Sequence, residues 1–269
     1  MVATPIGNLG DITDRALATL REVAIVAAED TRNTRGLLSH YGISAKLVAL
    51  HAHNERGASQ RVIEWLGEGQ SVALVSDAGT PGVSDPGATV VRAVRAAGFT
   101  IVPIPGASAL TTALSASGLE FDGVVFAGFL PARGSQRREK LASLAAGPWA
   151  IALFEAPHRV VETVADLHQA FGDRDVVIAR ELTKKFESIV RVPLREALAW
   201  LEADDDRRRG EFVLLVEGRA VEDKPAVDPR AVLETLLAEL PLKQAVALAT
   251  KITGGKRNEL YALALEMKK

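Results

Sequence analysis

The first 118 residues alternate short apolar runs with amphipathic helical patterns, and this alternation constrains the fold more than any other feature. Apolar runs at 24–28, 46–50, 71–75 and 100–104 predict strands. The helices expected between and beside them span 13–23, 31–41, 54–67, 86–97 and 107–117. Strands that alternate with helices at this spacing predict a mainly parallel sheet covered on both faces.

A second α/β unit is expected after the first, which gives domain boundaries of 1–118 and 119–220. Its strand candidates are 124–129, 150–154, 176–180, 188–192 and 211–217. Helical patterns fill the gaps at 135–146, 158–171 and 194–203. Because the last two strands depart from a simple strand–helix repeat, we expect a mixed sheet with some antiparallel pairing.

The tail differs in composition from the body of the chain. Residues 219–229 are polar and contain two prolines, which indicates a linker. Residues 229–269 then form a predicted module of three short helices at 231–240, 242–252 and 256–267. Its last forty residues carry seven lysines and arginines against four glutamates, in a chain of net charge −2. A basic helical module on an acidic body is a modest indication of nucleic-acid binding, and a packing appendage with a solvated face is the alternative.

Composition excludes several classes of protein. The chain has no cysteine, which excludes disulfides, thiolate zinc sites and cysteine nucleophiles and is typical of a cytosolic protein. No apolar run approaches the roughly 20 residues that span a bilayer, and the start lacks the layout of a signal peptide. His51 and His53 have no third ligand at a supportive spacing, so no metal site is expected.

The segment SDAGTPGVSDPG, residues 76–87, is the strongest indication of a ligand site. It follows a predicted strand and precedes a helical pattern that begins near Ala88. It therefore lies at the carboxyl end of a strand, where open α/β sheets bind ligands. Its three glycines and two prolines fix an unusual loop path and let backbone approach a ligand closely. These features favour a functional loop over a plain connector.

Five other strand ends are also polar and constrained, and together they predict one interdomain cleft. They are the segments at 5–8, 28–32, 103–110, 154–159 and 180–184. Each has a structural explanation when taken alone. Asp11 or Thr13 could cap the first helix, and Thr31 could cap the next. The basic segment 134–140 could be a solvated helix face or a phosphate contact.

These segments occur in an order that resembles one known family. The shared motifs are VATPIGNLGDIT, AAEDTRNTRGLL, HAHNE, VSDAGTPGVSDPG, PIPGASAL, GFLP, EAPHR, ARELTK and GEFVLLVEG. Across residues 2–218 the chain resembles the ribosomal small-subunit RNA methyltransferase I family of the tetrapyrrole-methylase superfamily. The tail LKQAVALATKITGGKRNELYALAL resembles the helix-turn-helix-like module of that family.

The resemblance implies a fold, an activity and partners. The fold would be two α/β domains of the tetrapyrrole-methylase (class III methyltransferase) type plus a small C-terminal helical module. The activity would be 2′-O-methylation of a cytidine ribose in 16S rRNA with S-adenosylmethionine as the cofactor. The partner would be 16S rRNA or the small ribosomal subunit, and the enzyme would be a cytoplasmic homodimer. Family members usually carry several apolar residues before VATPIG, so the first strand is expected to be short or truncated.

The resemblance also implies where S-adenosylmethionine binds, folded into the cleft between the two α/β domains. By motif position its contacts would come from ten residues: Pro5, Ile6, Asp77, Ala78, Thr80, Ser108, Ala109, Phe154, Ala179 and Phe212. The chemistry agrees, since an adenine needs apolar walls with backbone polar groups and a sulfonium needs nearby oxygen atoms.

Methyl transfer to a ribose hydroxyl requires alignment of the oxygen and removal of its proton. The groups weighed for proton removal are Glu29, Asp30, Glu55, Glu155, Glu181 and Lys184. Asp30 is preferred because it adjoins Arg32, which could bind a phosphate, and alignment alone is left open. The expected catalytic set is Asp30, Glu29, Arg32 and Glu155. The expected RNA contacts are Arg32, Arg137, Arg138, His158, Arg159, Lys184, Lys256 and Arg257.

Two other functions are compatible with the same sequence. A tetrapyrrole methyltransferase would share the fold, but such an enzyme needs no basic RNA-binding tail. A non-catalytic RNA-binding assembly factor could retain the fold, but it would not need the complete set of cofactor loops.

Overall fold

The computed structural model describes residues 1–50, 55–219 and 228–267. The chain divides into two compact units, Met1–Gly218 and Arg219–Lys269. His51 and His53 and most of the predicted linker at 219–229 lie outside the described residues. Among the described residues, no group of three or more His, Asp or Glu could hold a metal ion. None of the described helices is long and apolar enough to cross a membrane.

The first half of the larger unit contains the predicted parallel sheet. Its elements are α1 (Asp14–Glu22), β1 (Ile25–Ala28), α2 (Thr31–His40), β2 (Lys46–Ala49), α3 (Glu55–Gly67), β3 (Val72–Val75), α4 (Ala88–Ala96) and α5 (Ala109–Ala116). The three strands pair in the order β2-β1-β3, and both pairings are parallel. All four residues of β1 are buried, as expected of a central parallel strand.

The prediction of a strand at 100–104 is wrong, because this described segment forms a single isolated bridge, between Val2 and Ile104. Ile104 N donates to Met1 O at 2.8 Å, and Ala3 N donates to Ile104 O at 3.2 Å. Pro103 and Pro105 flank Ile104, and proline has no N–H to donate to a ladder. The N-terminal segment forms isolated bridges at Val2 and Thr4 rather than a full strand.

The second half of the larger unit contains a mixed five-stranded sheet. Its elements are β4 (Val124–Phe129), α6 (Gly134–Ala145), β5 (Ala150–Glu155), α7 (Val160–Phe171), β6 (Asp175–Arg180), β7 (Ser188–Pro193), α8 (Leu194–Glu202) and β8 (Phe212–Val216). The strand order is β4-β5-β8-β6-β7. The β4–β5 pair is parallel, whereas β8 is antiparallel to both neighbours and β6 is antiparallel to β7. The predicted mixed sheet is therefore confirmed.

The two faces of the five-stranded sheet pack on different partners, because successive strand residues point to opposite sides. On one face Leu153, Ile178 and Leu214 pack in the core that includes α7 and α8. On the other face Val213 and Leu215 join a cluster that contains side chains of the first half. The members of that cluster include Ile6, Ala113, Ala152, Val177, Ala179 and Leu182. This second contact holds the two halves of the unit together and fixes the geometry of the site.

The smaller unit is a three-helix module, as expected. Its helices are α9 (Pro229–Glu239), α10 (Leu242–Thr253) and α11 (Arg257–Glu266). Their apolar stripes meet in a core of buried side chains: Leu233, Val246, Ala249, Leu260 and Ala264. Gly254 ends α10 in the left-handed conformation, with φ of 69°, so the chain reverses there without a Cβ penalty.

Candidate functional site

The larger unit contains an apolar cavity of about 390 Å³ where loops of its two halves meet. Seven of the residues predicted to contact the cofactor line this apolar cavity: Ile6, Ala78, Thr80, Ser108, Ala109, Phe154 and Phe212. Further walls come from Val83, Phe129 and Leu182. The strand ends of both halves therefore converge, as the sequence predicts.

Backbone bonds hold the 76–87 loop against the N-terminal segment. Thr4 and Gly79 exchange two hydrogen bonds, Thr4 N to Gly79 O at 2.9 Å and Gly79 N to Thr4 O at 3.0 Å. Gly79 has φ of 77°, and a Cβ there would lie 3.3 Å from Cγ2 of Ile6. The Thr80 hydroxyl donates to Ala107 O at 3.3 Å. These bonds join the N-terminal segment, the 76–87 loop and the 103–110 segment at one wall of the apolar cavity.

The lining of the apolar cavity suits a nucleoside with a polar tail. Phe129 and Phe154 meet edge to face with ring centroids 5.8 Å apart, and Phe212 adds a third aromatic wall. Ser108 precedes α5 without a side-chain cap, so the first-turn amides of that helix are available to an acceptor atom of a ligand. Residues of this kind fit S-adenosylmethionine, whose adenine would contact the aromatic walls.

Asp85 also lines the apolar cavity, although it is not among the ten residues expected to contact the cofactor. Burial raises the pKa of its carboxyl to about 6, and the nearby Glu29 and Asp77 carboxylates add to the effect, against an opposing hydrogen bond from Ser76. Its neighbour Ser84 has φ of 65°, an uncommon conformation for a residue with a side chain. The sequence feature that could point to Asp85 is its place as the second aspartate of the 76–87 loop, directly before Pro86.

A second, polar cleft of about 510 Å³ adjoins the apolar cavity, and the two share the residues Ile6, Ala78 and Glu211. Other residues on its wall are Pro5, Leu9, Arg32, Asn33, Leu37, Asp77 and Lys184. Pro5 and Asp77, expected at the cofactor, therefore lie on the polar cleft. Ala179 lines neither space, because its side chain is fully buried in the sheet core.

The capping role that Thr31 could have had belongs to Asp30. Asp30 is the N-cap of α2, and its carboxylate accepts from Arg32 N at 2.8 Å. The Arg32 guanidinium lies 2.6 Å from the same carboxylate and holds the pKa of Asp30 at about 2. A carboxylate of so low a pKa is a weak base. Neither Asp30 nor Glu29 is among the residues that line the two spaces.

Asp77 ties the 76–87 loop to the start of α2. Its Oδ1 accepts from Asp30 N at 2.9 Å, and its Oδ2 accepts from Asn33 Nδ2 at 3.0 Å. This carboxylate therefore orders the turn that presents Arg32 and Asn33 to the polar cleft.

Glu155 reaches the apolar cavity, but internal partners already engage its carboxylate. Its side chain is fully buried, accepts from the Thr163 hydroxyl at 2.6 Å and from Ala156 N at 2.9 Å, and lies 3.2 Å from Arg159 Nε. Arg159 also donates to Leu130 O at 2.7 Å. These bonds brace the turn after β5, whereas His158 in the same turn is exposed.

The structure corrects the expectation that Arg137 contacts RNA. Its side chain is 4% exposed and its guanidinium donates to Asp166 at 2.6 Å and to Glu162 at 3.2 Å. Arg138 beside it is about half exposed and stays available to a phosphate. In the smaller unit Lys256 and Arg257 are both exposed at the start of α11.

The strand order and the cavity at the strand ends define the class of protein. Residues 1–198 match the family of tetrapyrrole (corrin/porphyrin) methylases, and residues 223–268 match the RsmI C-terminal HTH domain. The fold is similar to that of a cobalt precorrin-4 methyltransferase, with a TM-score of 0.60 at 21% identity over 80% of this chain and 92% of that one. It is also similar to a uroporphyrin-III C-methyltransferase from Thermus thermophilus, with a TM-score of 0.57 at 19% identity over 80% and 92% of the two chains.

Full-length relatives narrow the class further. The chain is 51% identical to the ribosomal RNA small subunit methyltransferase I of Pseudomonas aeruginosa, over 99% of this chain and 96% of the relative. It is also 51% identical to the enzyme of that name from Escherichia coli O157:H7, over 99% and 94% of the two chains. The chain belongs to the ribosomal RNA small subunit methyltransferase I family. Its cofactor, as in the tetrapyrrole methylases, is S-adenosylmethionine.

Proposed function

We propose that this protein methylates the 2′-hydroxyl of a cytidine ribose in the 16S rRNA of the small ribosomal subunit. The observation that carries the proposal is the full-length match to relatives whose name gives small-subunit ribosomal RNA as the substrate. The match includes the C-terminal module, which a methylase of a small tetrapyrrole does not need. The same match argues against a non-catalytic assembly factor.

The two adjoining spaces support this assignment. The apolar cavity takes the cofactor, and the polar cleft takes the target nucleotide with its ribose toward the shared residues Ile6, Ala78 and Glu211. The Arg32 guanidinium is 86% exposed and would pair with a backbone phosphate at the rim of the polar cleft. Leu9 and Leu37 offer an apolar surface to the base.

The bound cofactor supplies a methyl group on a sulfonium, which is already a good electrophile. The protein therefore has three tasks: to align the acceptor oxygen, to exclude competing water and to take up the hydroxyl proton. The aromatic walls of the apolar cavity exclude water from the donor. Hydrogen bonds of Asp77 and Glu155 order the turns in which they lie and so fix the position of the polar cleft relative to the apolar cavity.

We propose that each of the two units contacts RNA through exposed cations. In the larger unit these are Arg32, which lines the polar cleft, and Arg138, and in the smaller unit they are Lys256 and Arg257. His158 is also exposed and keeps its predicted RNA contact. Arg159 and Lys184 also have protein partners but, unlike Arg32, their side chains are only 18% and 28% exposed, so we assign them to positioning. We further propose a homodimer that works in the cytoplasm, where small subunits are assembled. A monomer mass in light scattering at micromolar protein would refute the dimer.

The test of the activity uses purified protein, labelled S-adenosylmethionine and four acceptors: 30S subunits, free 16S rRNA, free 23S rRNA and a precorrin-type tetrapyrrole. The expected result is label in 16S rRNA, at a single cytidine whose 3′ phosphodiester resists alkaline hydrolysis because its 2′-oxygen is methylated. Label in the base or in the tetrapyrrole, or no label in any acceptor, would refute the proposal.

A deletion of residues 219–269 tests the RNA role of the module. The shortened protein should bind S-adenosylmethionine like the full chain but should bind RNA more weakly and with a flatter salt dependence. An unchanged salt slope and an unchanged methylation rate would show that the module only packs.

A further inference from the structure

The junction between the apolar cavity and the polar cleft contains an ionisable side chain that has no role so far. Among the described residues, Ile6, Ala78 and Glu211 line both spaces. Ile6 and Ala78 are apolar, so Glu211 is the member of this set that can exchange a proton. A hydroxyl that enters from the polar cleft and a methyl donor in the apolar cavity would meet at this junction.

Glu211 is held at the junction by two neighbours. Its backbone N–H donates to Glu181 Oε1 at 2.9 Å, and its Oε2 accepts from Lys184 Nζ at 2.8 Å. Lys184 Nζ also donates to Glu181 Oε1 at 2.9 Å. One ammonium group therefore lies between two carboxylates, and the Glu211 side chain is 78% exposed, which leaves it open to a ligand.

The segment that carries Lys184 has an unusual backbone. Glu181 and Thr183 have φ of 51° and 66°, and a positive φ is a clear outlier for a β-branched residue. Gly210 has φ of 90°, and a Cβ there would lie 2.6 Å from Glu181 Cδ. The Lys184 stem lies against Gly7, where a Cβ would come within 2.5 Å of Lys184 Cγ. Such strained conformations persist where surrounding contacts fix them and are concentrated at functional sites.

We infer that Glu211 accepts the proton of the methyl-acceptor hydroxyl and that Lys184, held by Glu181, positions the Glu211 carboxylate for this step. The inference rests on the proposed function and names the residues that complete it. Glu211 would be a catalytic residue, while Lys184 and Glu181 would be positioning residues.

The step balances without a further reactant. The bond between the ribose oxygen and the methyl carbon forms while the bond between that carbon and sulfur breaks, and the sulfur keeps the electron pair as a neutral thioether. The proton leaves the oxygen for Oε1 or Oε2 of Glu211. As the new bond forms, the oxygen gains positive charge and its proton becomes acidic, so a carboxylate can accept it.

Lys184 and Glu181 form an ion pair beside Glu211. The three groups Glu181, Lys184 and Glu211 together carry one negative charge, and protonation of Glu211 leaves a neutral Lys184–Glu181 pair. Burial would lower the pKa of Lys184, but its hydrogen bonds to both carboxylates outweigh burial and raise it, so the ammonium persists. Burial would raise the pKa of Glu181, but the bonds from Lys184 and from Glu211 N outweigh burial and lower it.

Other titratable and charged groups face the same two spaces. Arg32 and Asp77 lie on the wall of the polar cleft, and Asp85 and Glu155 lie on the wall of the apolar cavity. None of these four lines both spaces.

The main test compares Glu211→Gln with the wild type and with Glu196→Gln, a surface glutamate paired with Arg195. Three quantities are measured: the single-turnover rate on 30S subunits, the Kd of S-adenosylmethionine by calorimetry and the Kd of the RNA. For Glu211→Gln the rate should fall by about 100-fold or more while both Kd values stay within about twofold. Glu196→Gln should match the wild type in all three.

Chemical rescue separates proton acceptance from a structural role. Addition of formate to Glu211→Ala should restore the rate in proportion to formate concentration, because a small carboxylate can occupy the vacated space. In Lys184→Met the single-turnover rate should fall while both Kd values stay within about twofold, because Lys184 no longer holds the Glu211 carboxylate at the junction, and Lys184→Arg should recover part of that rate. If Glu211→Gln is poorly folded, Glu211→Asp replaces it, and its rate should fall with both Kd values retained.

The outcomes distinguish this inference from the proposed function. A wild-type protein that fails to methylate rRNA ribose would overturn the proposed function and, with it, the acceptor role of Glu211. A wild type that methylates rRNA ribose, together with a Glu211→Gln rate within threefold of it, would overturn the inference alone. A rate loss without formate rescue and with an equal loss of cofactor affinity would also overturn it, since Glu211 would then serve binding.

Discussion

Replacement of Arg137 by methionine should destabilise the larger unit by about 3 kcal/mol, although its neighbour Arg138 should tolerate the same change. The Arg137 side chain is 4% exposed and forms its closest ion pair with Asp166, which is 11% exposed. Loss of one partner from a buried pair costs about 3–5 kcal/mol, because the other charge stays buried without compensation. Arg138 lies 3.7 Å from Asp166 and would offset part of this cost, which places the estimate at the lower end.

The assay is urea unfolding of three proteins, the wild type, Arg137→Met and Arg138→Met, followed by circular dichroism. With an m value of about 2–3 kcal/mol/M, a loss of 3 kcal/mol lowers the unfolding midpoint by about 1 M. Arg138→Met should lose less than about 0.5 kcal/mol because its side chain is half exposed. Equal midpoints for the two variants would refute the structural role of Arg137. So would weaker RNA binding by Arg137→Met without any loss of stability.

Two further substitutions test the walls of the apolar cavity. Gly79→Ala adds strain at φ of 77° and places a Cβ 3.3 Å from Ile6, so calorimetry should show cofactor affinity reduced by about tenfold. Gly118→Ala, with φ of 62° and no atom within 4 Å of its Cβ, should be strained but bind normally, and equal affinities would contradict the reasoning. Asp85→Asn should stabilise the protein by about 1 kcal/mol at pH 8. The rise of the Asp85 pKa corresponds to about 3 kcal/mol of unfolding free energy, and we reduce this value because the group is only half buried. Because the folded pKa of about 6 exceeds the ordinary 3.8, the stabilising contribution of the wild-type carboxyl is complete below pH 3.8 and is lost as pH rises through 6. The gain from asparagine should therefore shrink in thermal melts toward pH 4, and a gain independent of pH would contradict the shift.

Local patterns in the sequence predicted most of the fold. The apolar runs located β1 to β8, and the helical patterns located α1 to α11, because each pattern reflects which side of an element is buried. The error at 100–104 came from counting apolar residues without the missing N–H groups of Pro103 and Pro105. The cap of α2 was displaced by one residue because Asp30 and Thr31 are both good capping residues and only geometry chooses between them.

The candidate site was harder to predict, because sequence gives the order of elements but not the lateral distance between side chains. The glycine-rich loop and the strand ends were found since their composition is unusual on its own. The sequence alone predicts an RNA contact at Arg137, because nothing near it in the sequence shows that Asp166 neutralises it. The sequence alone does not single out Glu211, because its place at the junction arises only when its strand end and Ile6, from the other end of the larger unit, line the same two spaces.

The central position of β8 has a consequence for biosynthesis. Its five residues are all buried, and they separate β5 from β6 while pairing with both. During synthesis, β4 and β5 can pair early, and β6 and β7 can form their hairpin, but the gap between these pairs stays open until residue 216 leaves the ribosomal tunnel. Completion of this sheet is therefore a late event with contacts distant in the chain, which predicts slow folding. A chain released before that point would expose two unpaired edges, the surfaces that promote aggregation.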